Sequence, residues 1–156
     1  MGTAIKIVNY QPKYHAAFRD LNKAWIETYF KLEPADLKAL DHPYDNILQP
    51  GGVIVVALYK DEPVGVCALI KLNDHAYDFE LAKMAVDPAA QGKGIGYLLG
   101  EAVIEKAREL KAKSVFLESH TSLKPALNLY YKLGFKEVHG IVTPYERSNI
   151  QMELIL

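Results

Sequence analysis

The sequence predicts a mixed α/β fold in which helices pack on a central, mostly antiparallel sheet. Three observations predict it. Short β-branched runs recur along the chain, as in Val53–Tyr59 and Val64–Leu72. Longer stretches carry apolar residues at helical spacing, as in Tyr14, Phe18, Leu21, Trp25 and Tyr29. The two kinds of element follow the order β α α β β β α β α β β, which sets strands next to strands instead of alternating them strictly with helices.

Each element has a reason. Ala4–Val8 alternates and is rich in β-branched residues, so it reads as a first strand. Gln11-Pro12 turns the chain into a helix from about Pro12 to Phe30, whose aromatic stripe reads as core. Glu33–Leu40 forms a short second helix, with Pro34 tolerated in its first turn. Asp41–Gly52 holds two prolines, two glycines and several Asp or Asn residues, so it is a loop with one helical turn at Tyr44–Leu48. It reads either as a plain connector or as a lid over a substrate. Val53–Tyr59 and Val64–Leu72 form an antiparallel hairpin through Lys60-Asp61-Glu62-Pro63. Asn73-Asp74 turns the chain again, and Ala76–Val86 is a strand long enough to carry a bulge. Ile95, Leu98, Leu99, Ala102, Val103 and Leu110 make one face of a helix over Gly94–Leu110. Lys113–Glu118 is a strand beside Glu80–Val86, reached by a right-handed parallel crossover. Thr121 or Ser122 caps the next helix, about Leu123–Leu133, with Pro125 in its first turn and Gly134 at its end. Phe135–His139 and Asn149–Ile155 are the last strands.

The 156 residues suit one domain spanning 1–156, and half of them are hydrophobic, so a core can form. A net charge of -1 argues against a dedicated nucleic-acid binder. The single cysteine, Cys67, allows no disulfide framework and reads as a small buried hydrophobe, which fits a reducing, cytoplasmic compartment. No apolar signal segment opens the chain and no run is long enough to span a membrane. Histidines 15, 42, 75, 120 and 139 form no ligand-spaced pair, so no metal is expected.

The chemistry concentrates at Gln91-Gly92-Lys93-Gly94-Ile95-Gly96, between a strand and a helix. Main-chain N–H groups converge at such a junction, and the helix dipole favours negative charge, so the stretch reads as an anion site. It contains no GxxxxGK[ST], and its glycines are spaced GxGxG instead of GxGxxG.

With Glu80–Val86 before it, the Gln91-x-x-Gly94-x-Gly96 loop resembles motif A of the GCN5-related N-acetyltransferases (GNAT). The stretch Ala126–Phe135, ALNLYYKLGF, resembles motif B of the same superfamily, AxxLYxKxGF. Together the two cover about Phe79–Val138. The resemblance implies a sheet of about seven strands splayed between the fourth and fifth, with helices on both faces. Acetyl-CoA would sit in the splay, its pantetheine pairing like an extra strand. The backbone of Met84 and Val86 matches the pantetheine positions, and Gln91, Gly92, Lys93, Gly94, Gly96 and Tyr97 match the pyrophosphate loop. Tyr130 matches the tyrosine that protonates the departing thiolate, while Tyr131 points about 100° away on the helix. Where many members carry Asn seven residues earlier, this chain has Leu123, so that contact is missing or comes from Ser122 or Lys124. The end of the first helix, at Trp25, Tyr29 and Phe30, would border the acceptor pocket.

A primary amine with a pKa of ~10.4 arrives charged, so a base is useful. Glu80, four residues before Met84, has the spacing of the strand glutamate used as base in the histone-acetylating branch, with a water as relay. His120 is the second candidate, and His75, Asp78 and Glu118 are weaker ones. The Met84 N–H is the expected oxyanion donor, and attack is direct, without an acyl-Cys67. The acceptor would be a small-molecule amine, an amino acid or a peptide amine. Arg147 and His120 suit a carboxylate, whereas Tyr44, Tyr145 and Trp25 suit an aromatic or polyamine ligand. The competing class is a non-catalytic acyl-CoA sensor, which would not need both Glu80 and Tyr130. The resemblance also admits a homodimer.

Overall fold

A computed structural model describes residues 4–156. Seven strands form one sheet: β1 (Lys6–Asn9), β2 (Val53–Tyr59), β3 (Glu62–Lys71), β4 (Phe79–Val86), β5 (Ser114–Ser119), β6 (Lys136–Val138) and β7 (Ile150–Ile155). Their order across the sheet is β1-β2-β3-β4-β5-β7-β6. Every neighbouring pair is antiparallel except β4 and β5. Four helices complete the fold: α1 (His15–Tyr29), α2 (Pro34–Asp41), α3 (Ile95–Glu109) and α4 (Lys124–Leu133). The expected mixed, mostly antiparallel sheet is therefore present.

Alternation along the strands splits the apolar residues between two faces. On β2, Val55 and Ala57 join a core built with Ile95, Leu99 and Val103 of α3 and Leu127 of α4. Ile54, Val56 and Leu58 join a second core with Phe18 and Ile26 of α1 and Leu40 of α2. Helices thus cover both faces. Against α4, α3 packs so closely at Gly100 that a Cβ there would lie 2.5 Å from Leu133.

Several local expectations shift. The β2–β3 turn is only Lys60-Asp61, both at positive φ (51° and 65°), the two-residue geometry that matches strand twist. The helical turn expected at Tyr44–Leu48 is present at those bounds, but as one wide π-type turn whose Ile47 is fully buried in the α1-side core. None of residues 41–52 lines the central cleft, so the connector reading fits them. The fourth strand starts at Phe79 and not at Ala76. Its lead-in is tied to β5 instead: the Lys113 N–H donates to Asp78 at 2.7 Å, and the Asp78 N–H donates to Ser114 Oγ at 3.1 Å. The residue capping α4 is Leu123, with no side-chain cap. Thr121 Oγ1 is taken by Asn149 at 3.1 Å and Ser122 Oγ by His120 Nδ1 at 2.7 Å, so neither hydroxyl turns toward the helix.

Two irregularities in β4 shape everything around them. Ala82 pairs with Ala68 and Ala85 with Val66, so Lys83 and Met84 together oppose Cys67 alone. This is a bulge, and Lys83 sits in it at φ 53°. It reverses the strand's phase: Phe79 and Leu81 face α3 before it, whereas Ala85 faces α1 after it. The second irregularity is that β4 and β5 pair only at Phe79↔Val115 and Glu80↔Phe116. Past Glu80 the two strands part.

Candidate active site

The cleft opens where β4 and β5 separate. Glu80 and Phe116 are opposite each other, so their side chains share a face, and Glu118 and His120 follow on that face at alternate positions. The cleft brings together Glu80, Met84, His120 and Tyr130 from the sequence-predicted set, with Trp25 and Phe30 of α1 as one wall. Glu80 is packed round by protein but keeps its mouth open to the cleft. Burial, reinforced by the Glu118 carboxylate, raises its pKa to about 7, with Lys83 opposing. A carboxylate near that value can exchange a proton with an amine at neutral pH.

His120 packs against Phe30 with the rings tilted and their centroids 5.4 Å apart. Its Nδ1 accepts the Ser122 N–H at 3.1 Å, so the ring's N–H lies on Nε2. Tyr130 contributes from α4, edge-on to Phe135, and burial holds its hydroxyl protonated well above the ordinary tyrosine range. Beneath it, Cys67 is fully buried, and burial likewise pushes its thiol pKa up. His75 and Asp78 lie outside the cleft: the first packs at a tilt against Phe116, the second binds the start of β5. Tyr44 and Tyr29 are exposed and line none of it.

The glycine loop stands at the other end of the parted strands. Residues 91–94 are exposed, and Gly94 caps α3 at φ 73°. A Cβ at Gly92 or Gly94 would meet nothing within 4 Å, so the loop's outer side is open space. Among the described residues, no main-chain acceptor engages the N–H groups of Gly92, Lys93 or Gly94. At Gly96 the nearest atoms to an added Cβ are Leu129 at 3.1 Å and Met84 Sδ at 3.8 Å, which places the start of α3 directly beside β4. Lys93 Nζ lies 4.9 Å from the Tyr59 ring centroid. A free strand edge leading to open amides at a helix N-terminus fits an extended amide-bearing chain that ends in a diphosphate. Among the described residues no group of acidic, His or Cys side chains is arranged to hold a metal. No helix among them is long and apolar enough to cross a membrane.

Sequence reasoning missed a buried ionic cluster above the cleft. The bulge turns Lys83 toward α2, where its Nζ donates to Asp36 Oδ1 at 2.8 Å and to the Tyr145 hydroxyl at 2.9 Å. Arg147 donates to both oxygens of Asp36, at 2.8 and 2.7 Å, and to Glu33 at 3.1 Å. The Asp36 side chain is completely buried and Lys83 nearly so. Burial alone would raise the Asp36 pKa, but Arg147 and Lys83 prevail and hold it at about 2. From α1, the buried Asn22 donates to the Lys83 carbonyl at 3.1 Å and pins the bulge. The signal available in advance was slight: an Asp in the first turn of a short helix, and an Arg in a loop.

The acetyltransferase (GNAT) family profile matches residues 14–135. The chain is 38% identical over 100 residues to the uncharacterized N-acetyltransferase YjgM of Escherichia coli, a match covering 64% of this chain and 60% of that protein. It is 37% identical over 94 residues to the N-acetylaspartate synthetase of Xenopus tropicalis, covering 60% of this chain and 34% of that one. The chain thus spans less than two thirds of the length of these relatives. In fold it resembles the GNAT-family acetyltransferase of Staphylococcus aureus MU50, with a TM-score of 0.85, 23% identity, and coverage of 96% of this chain and 98% of that one.

Proposed function

The chain belongs to the acetyltransferase (GNAT) family, and from that premise we propose that it moves an acetyl group from acetyl-CoA to a primary amine. When bound, acetyl-CoA supplies an activated thioester. The observation that carries the reading is the meeting of Glu80, Tyr130 and the free β4 edge in one cleft.

The residues take distinct parts. Gly92, Lys93 and Gly94 offer open amides and a cation to the diphosphate, with Gln91, Gly96 and Tyr97 flanking them. The backbone of Met84 and Val86 offers a ladder edge to the pantetheine arm. Glu80, directly or through a water, takes the proton that the amine loses as its nitrogen bonds to the acetyl carbon. The Met84 N–H faces the oxygen on which charge grows. Tyr130, protonated because it is buried, donates to sulfur as the carbon–sulfur bond breaks. His120 offers Nε2–H and so suits hydrogen bonding to the acceptor better than proton removal. Holding both reactants in this cleft supplies the rest.

The test is thiol release from acetyl-CoA across an amine panel, with calorimetry of CoA binding alongside. Turnover on at least one amine, with an N-acetylated product by mass, supports the reading. Tight CoA binding without turnover on any amine would make the chain an acyl-CoA binding module instead.

A further inference from the structure

Resting on the acetyl-transfer reading above, we infer that the acceptor is an alkyl or aryl amine with no carboxylate beside its nitrogen, and that Glu118 receives it as a cation. The charges around Glu80 decide this. Lys83 faces it from β4, Glu118 and His120 from β5 and the turn after it, and Tyr145 and Arg147 from the loop between β6 and β7, while Asp36 of α2 stands behind Lys83. The two cations are already matched. Asp36 binds both Lys83 and Arg147, and Glu33 binds Arg147 as well, so two carboxylates cancel two positive charges. His120 Nδ1 is engaged by Ser122 and by neither glutamate.

Glu118 stands apart from this balance. Its Oε1 accepts from Ser148 Oγ at 3.1 Å and from Gln151 Nε2 at 3.3 Å, both neutral groups. Among the described residues no cation forms an ion pair with Glu118 or Glu80. The acceptor half of the cleft therefore carries uncompensated negative charge between aromatic walls, Trp25 and Phe30. An alkylammonium entering there meets two carboxylates, one to hold it and one to take its proton. An α-amino acid brings a third carboxylate into the same space, and Arg147 meets it with its charge already neutralised and three of its N–H groups committed. Like charges in a partly desolvated cleft repel strongly.

Matched acceptors test this on the unmodified protein: tyramine against tyrosine, and cadaverine against lysine, at saturating acetyl-CoA. The decarboxylated member of each pair should show a kcat/KM at least about tenfold higher, and raising ionic strength should narrow that ratio. Glu118→Gln should raise KM for cadaverine about tenfold and shrink the ratio, while Glu118→Asp restores part of it. CoA affinity by calorimetry should be equal in all three proteins. Preference for the amino acids or for a peptide N-terminus, or a ratio indifferent to Glu118→Gln, overturns the inference and leaves acetyl transfer standing. Absence of turnover on every amine overturns both.

Discussion

Glu80 occupies the last paired position of β4 before the strands part, and its pKa near 7 follows from that place. Two measurements separate its roles. Glu80→Gln should lower kcat/KM by roughly 10²–10⁴-fold and abolish the rise in activity as pH passes through about 7. The same substitution should stabilise the fold. The folded carboxyl holds its proton more tightly than the unfolded one, so its stabilising contribution is complete below about pH 4 and fades as pH rises through about 7. Urea melts should show Glu80→Gln gaining about 1–2 kcal/mol over the parent at pH 8, allowing for partial exposure, and little at pH 4. Tyr130→Phe should lower kcat with CoA affinity unchanged; an unaltered kcat removes Tyr130 from the chemistry. The meeting of these two residues in one cleft was legible because each has a fixed offset from a motif, Glu80 from Met84 and Tyr130 within its helix. Lys83 was not legible. Strict alternation sends residue 83 to the α3 face, and only a left-handed backbone there turns it to the other side.

At the level of elements, the open loop and the ionic cluster act on opposite sides of β4. Gly94 is left-handed with open space outside it, so a side chain there strains the backbone without clashing. Gly94→Asp adds a negative charge where a diphosphate is expected, and should abolish CoA binding in calorimetry while the circular dichroism of the fold persists. Asp36 joins α2 to β4 and to the loop after β6. Asp36→Asn leaves the buried Lys83, and in part the half-buried Arg147, under-matched, which costs about 3–5 kcal/mol. In a chain of this size that should lower Tm by roughly 10 °C. Because the folded pKa of Asp36 is depressed, its stabilisation is present above about pH 4 and is lost as pH falls toward about 2, so the parent and the variant should converge in acid melts. Element order and most boundaries followed from periodicity and turn residues. The helical turn at Tyr44–Leu48 was read at its bounds but not in its π-type width, which the buried Ile47 sets, and the uncapped start of α4 was not read, because Ser122 is claimed by His120.

At the scale of the whole molecule, the succession of elements and the pairings β2–β3 and β4–β5 were readable, but the place of β7 between β5 and β6 and the parting of β4 from β5 were not. An absent ladder leaves no mark on composition, and its position came only through the resemblance of two motifs. The consequence is mechanical. Four strands on one side and three on the other are joined edge to edge by two residue pairs, with α3 and α4 bracing one face. Such an architecture has a built-in fault line, and an extended guest laid along it would act as a splint. The amides of Leu81–Val86 and Leu117–Ser119 that face the gap, and not those laddered to β3 or β7, should take up deuterium fast in the free protein and slow sharply once coenzyme A is added. Uptake in the β2–β3 hairpin, far from the fault, should stay as it was.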